Sequence, residues 1–296
     1  MSRFVFILCL LVAGVARGVI VQGGDGSGNT TGAGAGIGWN YVGSRVASAV
    51  YLGNYNGGYW VLTAGHVGAG TLTLNGTDYF AVPGSEVTLT NADSTNADLK
   101  LFRIDADPGL ANLSLASVTP TFGDAVTMIG FGSGREAAET HWDLSWQETA
   151  GPGIYRGYKW SEPHVERWAP NTAAGATDIT YENGEKTSVF VTEFRTGTGQ
   201  ATNGDSGGGV FLSDGTLAGI MISVSNVSGQ PGSTSIYSSL GRNDTYIADV
   251  SKYRSQILGI VSAVPIPEPR VPLLLGLAVL AALAVRSFKK APAAPR

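Results

Sequence analysis

The sequence predicts an all-β protein made of two similar β units, and three observations carry that expectation. Glycine supplies 42 of 296 residues while only 14% of residues are charged, a composition that argues against a helical bundle. Short apolar runs of strand length recur along the chain, bounded by Gly, Pro, Asn or Asp. Residues 118–124, with Pro120 and Gly123, interrupt those runs and read as a linker between the units. The length suits one large core or two small ones.

Taken in order, the chain opens with Arg3, the apolar run of residues 4–15, and small residues at Ala13, Gly14, Ala16 and Gly18. That pattern is a secretory signal peptide over residues 1–18, cut after Ala16 or Gly18. Cys9, the single cysteine, lies inside it, so the exported domain is expected to fold without a disulfide. Residues 19–38 start Val-Ile-Val-Gln-Gly-Gly and read as a poorly ordered lead-in. A strand is expected over 45–52. Trp60, Val61 and Leu62 then form a buried strand running into the tight turn that carries His66. Further strands are expected at 71–74, 79–82 and 86–89, and another begins beside Asp98 with Leu99 and Leu101.

Beyond the linker, residues 125–130 read as a strand. Residues 135–183 look irregular and polar, an insertion forming a packed surface excursion. It holds Trp142, Trp146, Trp160 and Trp168, read as a small satellite core, together with His141 and His164, read as surface or packing residues. Strands resume at 187–194, Gly209–Leu212, Leu217–Val224 and Thr234–Ser238. A helix over 244–260 is expected, capped by Asn243 or Asp244, with Ile247, Val250, Tyr253, Ile257 and Leu258 on one face.

The C-terminal stretch reads Val-Pro-Ile-Pro-Glu-Pro from Val264 to Pro269, then an apolar run over 271–285, then Arg286, Lys289 and Lys290. The run is short for a membrane span, but Arg270 and Arg286 can snorkel at its ends, and the basic tail predicts a cytoplasmic end. Pro-Glu-Pro, apolar helix and basic cluster together resemble the PEP-CTERM sorting signal of Gram-negative bacteria, over residues 264–296. The resemblance implies cleavage near Pro-Glu-Pro by an exosortase. Between Val19 and Pro267 there are 12 Lys and Arg against 22 Asp and Glu, a net of −10. So acidic a domain has no evident attraction to nucleic acid.

The chemistry concentrates on three residues in the order His66, Asp98, Ser206, each at the end of an apolar strand. A serine hydroxyl is a weak nucleophile until a base takes its proton. Histidine titrates where it can do so near neutral pH, and a buried carboxylate can fix its tautomer. Asp93 and Asp105 are rivals for the carboxylate role. Around Ser206 the run Asn-Gly-Asp-Ser-Gly-Gly-Gly can aim two backbone N–H groups at one point.

Thr63-Ala64-Gly65-His66, Asn96-Ala97-Asp98-Leu99-Lys100-Leu101 and Gly204-Asp205-Ser206-Gly207-Gly208 resemble the three motifs of the chymotrypsin/trypsin family, in the family's order. The likeness covers about residues 19–262, outside 135–183. It implies two six-stranded antiparallel β-barrels with a C-terminal helix: a first barrel over about 40–117 and a second over about 124–242, within a protease domain of residues 19–263. It implies Ser206 as nucleophile, His66 as general acid/base, Asp98 as its orienter, and the N–H groups of Gly204 and Ser206 as the oxyanion hole. Asp205 matches the aspartate that pairs with the mature N-terminal amine, for which Val19-Ile20-Val21 is a loose counterpart. Gly65 and Gly209 depart from the family's alanine and proline, and its disulfides are absent.

The position six before the nucleophile, the base of the primary pocket in that family, is Gln200. Ile222 and Ser223 fall on the strand that binds substrate backbone, and Val224 and Ser235 on the pocket walls. The expectation is a secreted serine endopeptidase preferring small or medium aliphatic residues before the scissile bond. Its expected partners are a protein or peptide substrate, signal peptidase and an exosortase-like enzyme. It is expected at the cell surface or outside a Gram-negative cell, transiently anchored in the inner membrane, monomeric, and without cofactor or catalytic metal. A structural calcium stays open. A catalytically silent protease-like binding module and a matrix protein of the bacterial surface are the competing classes.

Overall fold

The structure is a computed structural model that describes residues 18–32, 37–162, 164–181 and 186–263. The signal peptide, apart from Gly18, and the sorting segment lie outside the described residues. Among the described residues no helix is long and apolar enough to cross a membrane.

The first half contains β1 (Ile20–Val21), β2 (Val42–Ser44), β3 (Ser48–Tyr55), β4 (Gly58–Thr63), β5 (Leu72–Leu74), β6 (Thr77–Tyr79), β7 (Val87–Thr90) and β8 (Asn96–Ile104). Seven of these form one antiparallel sheet in the order β6-β5-β2-β3-β4-β8-β7. Its hairpins are set by turn chemistry. Asn56-Gly57 joins β3 to β4 and Asn75-Gly76 joins β5 to β6, all four residues having positive φ, as a two-residue type I′ hairpin turn requires. Ala81 bridges to Ile104, which draws the far edge of the sheet back toward β8. The hydrogen-bond ladder is therefore a curled seven-stranded sheet, where a six-stranded barrel was expected.

The second half contains β9 (Ala125–Gly130), β10 (Gly134–Arg135), β11 (Thr140–Trp142), β12 (Tyr155–Ser161), β13 (Arg167–Thr180), β14 (Lys186–Glu193), β15 (Gly199–Gln200), β16 (Gly209–Leu212), β17 (Leu217–Val224), β18 (Thr234–Ser238), β19 (Gly241–Arg242) and β20 (Asp244–Asp249). Six of them close into a barrel, β13-β14-β20-β17-β16-β9. β12 pairs with β18, and β10, β11 and β19 complete a smaller sheet beside the barrel.

Three expectations change here. The described residues of 135–183 are not an excursion, since β13 is a barrel stave paired on both edges, with β9 and with β14. Trp142 and Trp146 do meet edge to face at 6.3 Å, but Trp146 stacks on Tyr155 at 4.1 Å, and Trp160 and Trp168 lie elsewhere. Residues 244–249 are strand, not helix, because the barrel needs β20 to join β14 to β17. The helix α1 is Val250–Val261, capped by Asp249, whose carboxylate accepts from Ser251 N. Asn243 is instead buried and accepts from Ile236 N at 2.6 Å.

The start of the lead-in is held in place. Ile20 and Val21 pair with Gln200 and Gly199, and the Arg135 guanidinium donates to the carbonyls of Val21, Gly23 and Gly24. One apolar cluster runs through both halves, from Val50, Leu62, Leu99 and Leu101 to Ile129, Phe211, Ile220 and Ile257. Burial of that shared surface fixes the two sheets against each other, and the site lies along their seam.

Candidate active site

His66 stands on the turn that ends β4. Val67 N and Gly68 N both donate to Ala64 O, which closes the turn, and buried Ala64 anchors it. The imidazole is half exposed, and its Nδ1 lies 2.8 Å from Asp98 Oδ2. Asp98 Oδ1 accepts from the His66 backbone N–H, also at 2.8 Å. With an ionised carboxylate on the Nδ1 side, Nδ1 carries the proton and Nε2 is left as the base.

Asp98 is the third residue of β8 and is 5% exposed. Its rivals are engaged elsewhere: Asp93 with Thr95, and Asp105 with Phe80 N. Burial works to raise the Asp98 pKa, but the hydrogen bond and charge of His66, its N–H and the Tyr181 hydroxyl outweigh it and hold the carboxyl below its ordinary value. The same bond raises the His66 pKa above its ordinary value, against partial burial. Gly65 now has a reason. A Cβ there would lie 2.9 Å from Asp98 Oδ1, so alanine would press on the carboxylate.

Ser206 sits on a turn between β15 and β16 that needs positive φ at Gly204 and Gly207. The turn is tied to the first half through a buried serine that sequence reasoning missed. Ser48 N donates to Ser206 O at 2.9 Å, Ser48 Oγ donates to Gly204 O, and Phe131 N donates to Ser48 Oγ. Thr63 Oγ1 in turn donates to Ser48 O at 2.8 Å. Thr63 is three residues before His66, so a short hydrogen-bonded path sets the serine turn against the histidine turn. Among the described residues, neither the Ser206 hydroxyl nor His66 Nε2 has a hydrogen-bond partner within 3.5 Å. Contacts of this kind are often long before substrate arrives.

The N–H groups along the turn alternate in use. Asp205 N donates to Thr202 O and Gly207 N to Met221 O. Those of Gly204 and Ser206 have no acceptor among the described residues. Asp205 is fully buried and accepts from Gly132 N, Thr202 N and Thr202 Oγ1. Burial pushes its pKa up to about 7 despite those donors. These groups satisfy the carboxylate, while Ile20 and Val21 pair with β15. His164 packs on the turn, with Nδ1 2.7 Å from where a Gly204 Cβ would stand and Nε2 3.2 Å from Ser133 Oγ. His141 pairs with Glu139 at 3.0 Å.

Beside Ser206 opens a cleft of about 340 Å³, lined by Ala201, Thr202, Met221, Ile222, Ser223, Val224 and Trp160 among others. Ile222, Ser223 and Val224 of β17 line this cleft. Gln200 and Ser235 are not among the lining residues. Gln200 is buried, and its side chain reaches toward Asp244 O, while the next residue, Ala201, just past the end of β15, lines the cleft. Ser235 is fully buried and accepts from Trp160 Nε1 at 2.8 Å. The indole takes the wall position expected of Ser235. Among the described residues no group of three His, Cys, Asp or Glu is placed to hold a metal ion.

The sequence profile of the trypsin-like peptidase domain matches residues 47–220, which take in His66, Asp98 and Ser206. Similar solved structures include the Rv3671c protease from M. tuberculosis in its active form, 15% identical over 73% of this chain and 74% of that chain, TM-score 0.43. They also include neuropsin, a serine protease expressed in the limbic system of mouse brain, 17% identical over 75% and 94%, TM-score 0.47. A third is the HtrA-type protease AlgW with decapeptide, 17% identical over 74% and 52%, TM-score 0.42. No curated protein sequence matches the chain. The profile spans more than half of the chain and contains all three motif residues, so the chain belongs to the trypsin-like peptidase domain family.

Proposed function

We propose that this protein is a secreted serine endopeptidase that works through an acyl-enzyme on Ser206. One observation carries the reading: the His66–Asp98 pair at 2.8 Å, with the Ser206 turn bonded through Ser48 to the same strand end. His66 Nε2 takes the hydroxyl proton as Ser206 Oγ bonds to the scissile carbonyl carbon. The oxyanion formed is received by the uncommitted N–H groups of Gly204 and Ser206. The imidazolium, held by Asp98, returns its proton to the leaving amine as the C–N bond breaks. Water then attacks the ester with His66 again as base, releasing the acid and restoring Ser206. Labelling by a fluorophosphonate tests this. A single adduct on Ser206 is expected, and a folded, unlabelled protein would instead favour the catalytically silent class.

The cleft supports a preference for small or medium aliphatic residues before the scissile bond. Ala201, Met221, Ile222, Val224 and the Trp160 ring present apolar surface, and no charged side chain is among its lining residues. A lysine or arginine substrate would lose its hydration there without a counter-charge. One methylene more or less changes such binding by about 1–3 kcal/mol, so the preference is graded. On a panel of chromogenic peptides, cleavage after Ala, Val or Leu is expected to exceed cleavage after Lys or Arg; the reverse order overturns this assignment.

We also propose export by signal peptidase, a transient inner-membrane anchor over residues 271–285 and release by an exosortase-like enzyme. Arg3 with its apolar run, and Pro-Glu-Pro with apolar run and basic cluster, support this. Intact mass of the extracellular product is expected to lack residues beyond about Pro267, and a product retaining Arg296 refutes it.

A further inference from the structure

Asp98 is gripped from both sides by one hairpin of the closed barrel. Its backbone N–H donates to Thr187 Oγ1 of β14 at 2.8 Å. Its Oδ2, the oxygen that faces His66 Nδ1, also accepts from the hydroxyl of Tyr181 at 2.9 Å. Tyr181 directly follows β13. The strand supplying the carboxylate belongs to the seven-stranded sheet, so these two bonds reach across the seam.

Resting on the proposed protease reading, we infer that Tyr181 is a positioning residue of the catalytic apparatus: it holds the Asp98 carboxylate in the plane that His66 needs and tempers its pull on the imidazole. The geometry requires a donor at this place. Oδ1 is occupied by the His66 N–H. Oδ2 would otherwise answer to Nδ1 alone, one donor fewer for a buried anion, which is costly. A carboxylate with both oxygens bonded from two elements cannot swing about its Cβ–Cγ axis. Without Tyr181, the carboxylate is held by His66 alone, through its N–H and its Nδ1.

The consequence has a sign. The positive end of the phenol dipole lies on the oxygen that stabilises the imidazolium. Removing it concentrates charge on Oδ2, strengthens the hold on protonated His66 and raises the pH needed to free the base. Among the described residues, the titratable groups facing the Asp98 carboxylate are His66, from the turn after β4, and Tyr181, from the end of β13. The shift is therefore read on one histidine.

Tyr181→Phe keeps the ring and removes only the donor. For hydrolysis of a small ester we expect kcat to fall roughly 10-fold with KM unchanged, as for loss of one hydrogen bond to a charged group. The acid limb of kcat/KM moves to higher pH. In an Asp98→Asn background the same substitution is expected to cost less than about 2-fold, since a residue acting through Asp98 has little left to act on. An independent readout needs no turnover: the His66 imidazole titrated by NMR in Ser206→Ala protein, with and without Tyr181→Phe. An upward shift in the double variant is expected. An unshifted titration, or equal losses in the wild-type and Asp98→Asn backgrounds, overturns the inference. Failure of Ser206 to label strikes the protease reading, while this titration still tests Tyr181.

Discussion

Ser206→Ala is expected to lower kcat/KM for peptides and esters by on the order of 10⁴-fold or more while the protein melts at its wild-type temperature. The first half follows from chemistry. Nucleophile and base act as a unit, so deletion of either removes nearly the whole covalent route and leaves only what binding and oxyanion stabilisation supply. The second half follows from the structure. The Ser206 hydroxyl has no hydrogen-bond partner among the described residues, and the turn is held by backbone bonds from Ser48, Asp205 and Met221. Removing the oxygen leaves those bonds in place and orphans no buried partner, so a stability change within about 0.5 kcal/mol is expected. Steady-state kinetics beside a melting curve check both. Near-wild-type turnover sinks the assignment of the nucleophile. A large fall in melting temperature would show that the hydroxyl has a structural role not evident from its contacts.

His66, Asp98 and Ser206 were legible in the sequence because each rests on a local signal. An apolar strand ends just before His66, and an apolar run begins just after each of Asp98 and Ser206. The strands at Gly209–Leu212, Leu217–Val224 and Thr234–Ser238 were legible on the same grounds and stand at those bounds. Ile222, Ser223 and Val224 followed from one of them. Residues 135–183 were not legible. The interior positions of β13 are Arg167, Ala169, Asn171 and Ala173, all buried. Small and polar side chains fill that part of the barrel wall, so the apolar alternation that announces a strand is missing. An alternation of burial remains, but without an apolar set it cannot be told from a loop. The cost was three residues around the site, since Trp160, His164 and Tyr181 all lie in this stretch. Ser48 was missed for another reason. Its role is to bond backbone groups on two distant segments, and nothing local in its sequence indicates that. Only the start of the helix was misplaced: Ile247 and Val250 fit one helical face, yet barrel closure claimed Ile247 as strand and the helix begins at Val250.

Gly207→Ala is expected to destabilise the fold by roughly 2–6 kcal/mol and to abolish activity with it. Two costs combine. Gly207 has φ +87°, a region that costs a residue with a side chain about 1–3 kcal/mol. A Cβ built there also falls well inside contact distance of Ser48 O and Thr63 Oγ1. Neither neighbour is the free end of a flexible chain. Ser48 O is backbone, and the two atoms are the hydrogen-bonded pair that sets the serine turn against the histidine turn. Relief therefore means breaking that bond or moving the turn, and either displaces Ser206 from His66. Overpacking of this kind costs about 1–3 kcal/mol beyond the backbone term. Gly76→Ala separates the two. Gly76 has φ +78°, but nothing lies within 4 Å of its Cβ position, so it bears the backbone cost alone. In denaturant unfolding, Gly207→Ala should lose clearly more than Gly76→Ala, and only the former should lose activity. Equal losses, or an active Gly207→Ala protein, would show that the serine turn does not lie against Ser48 and Thr63 as described.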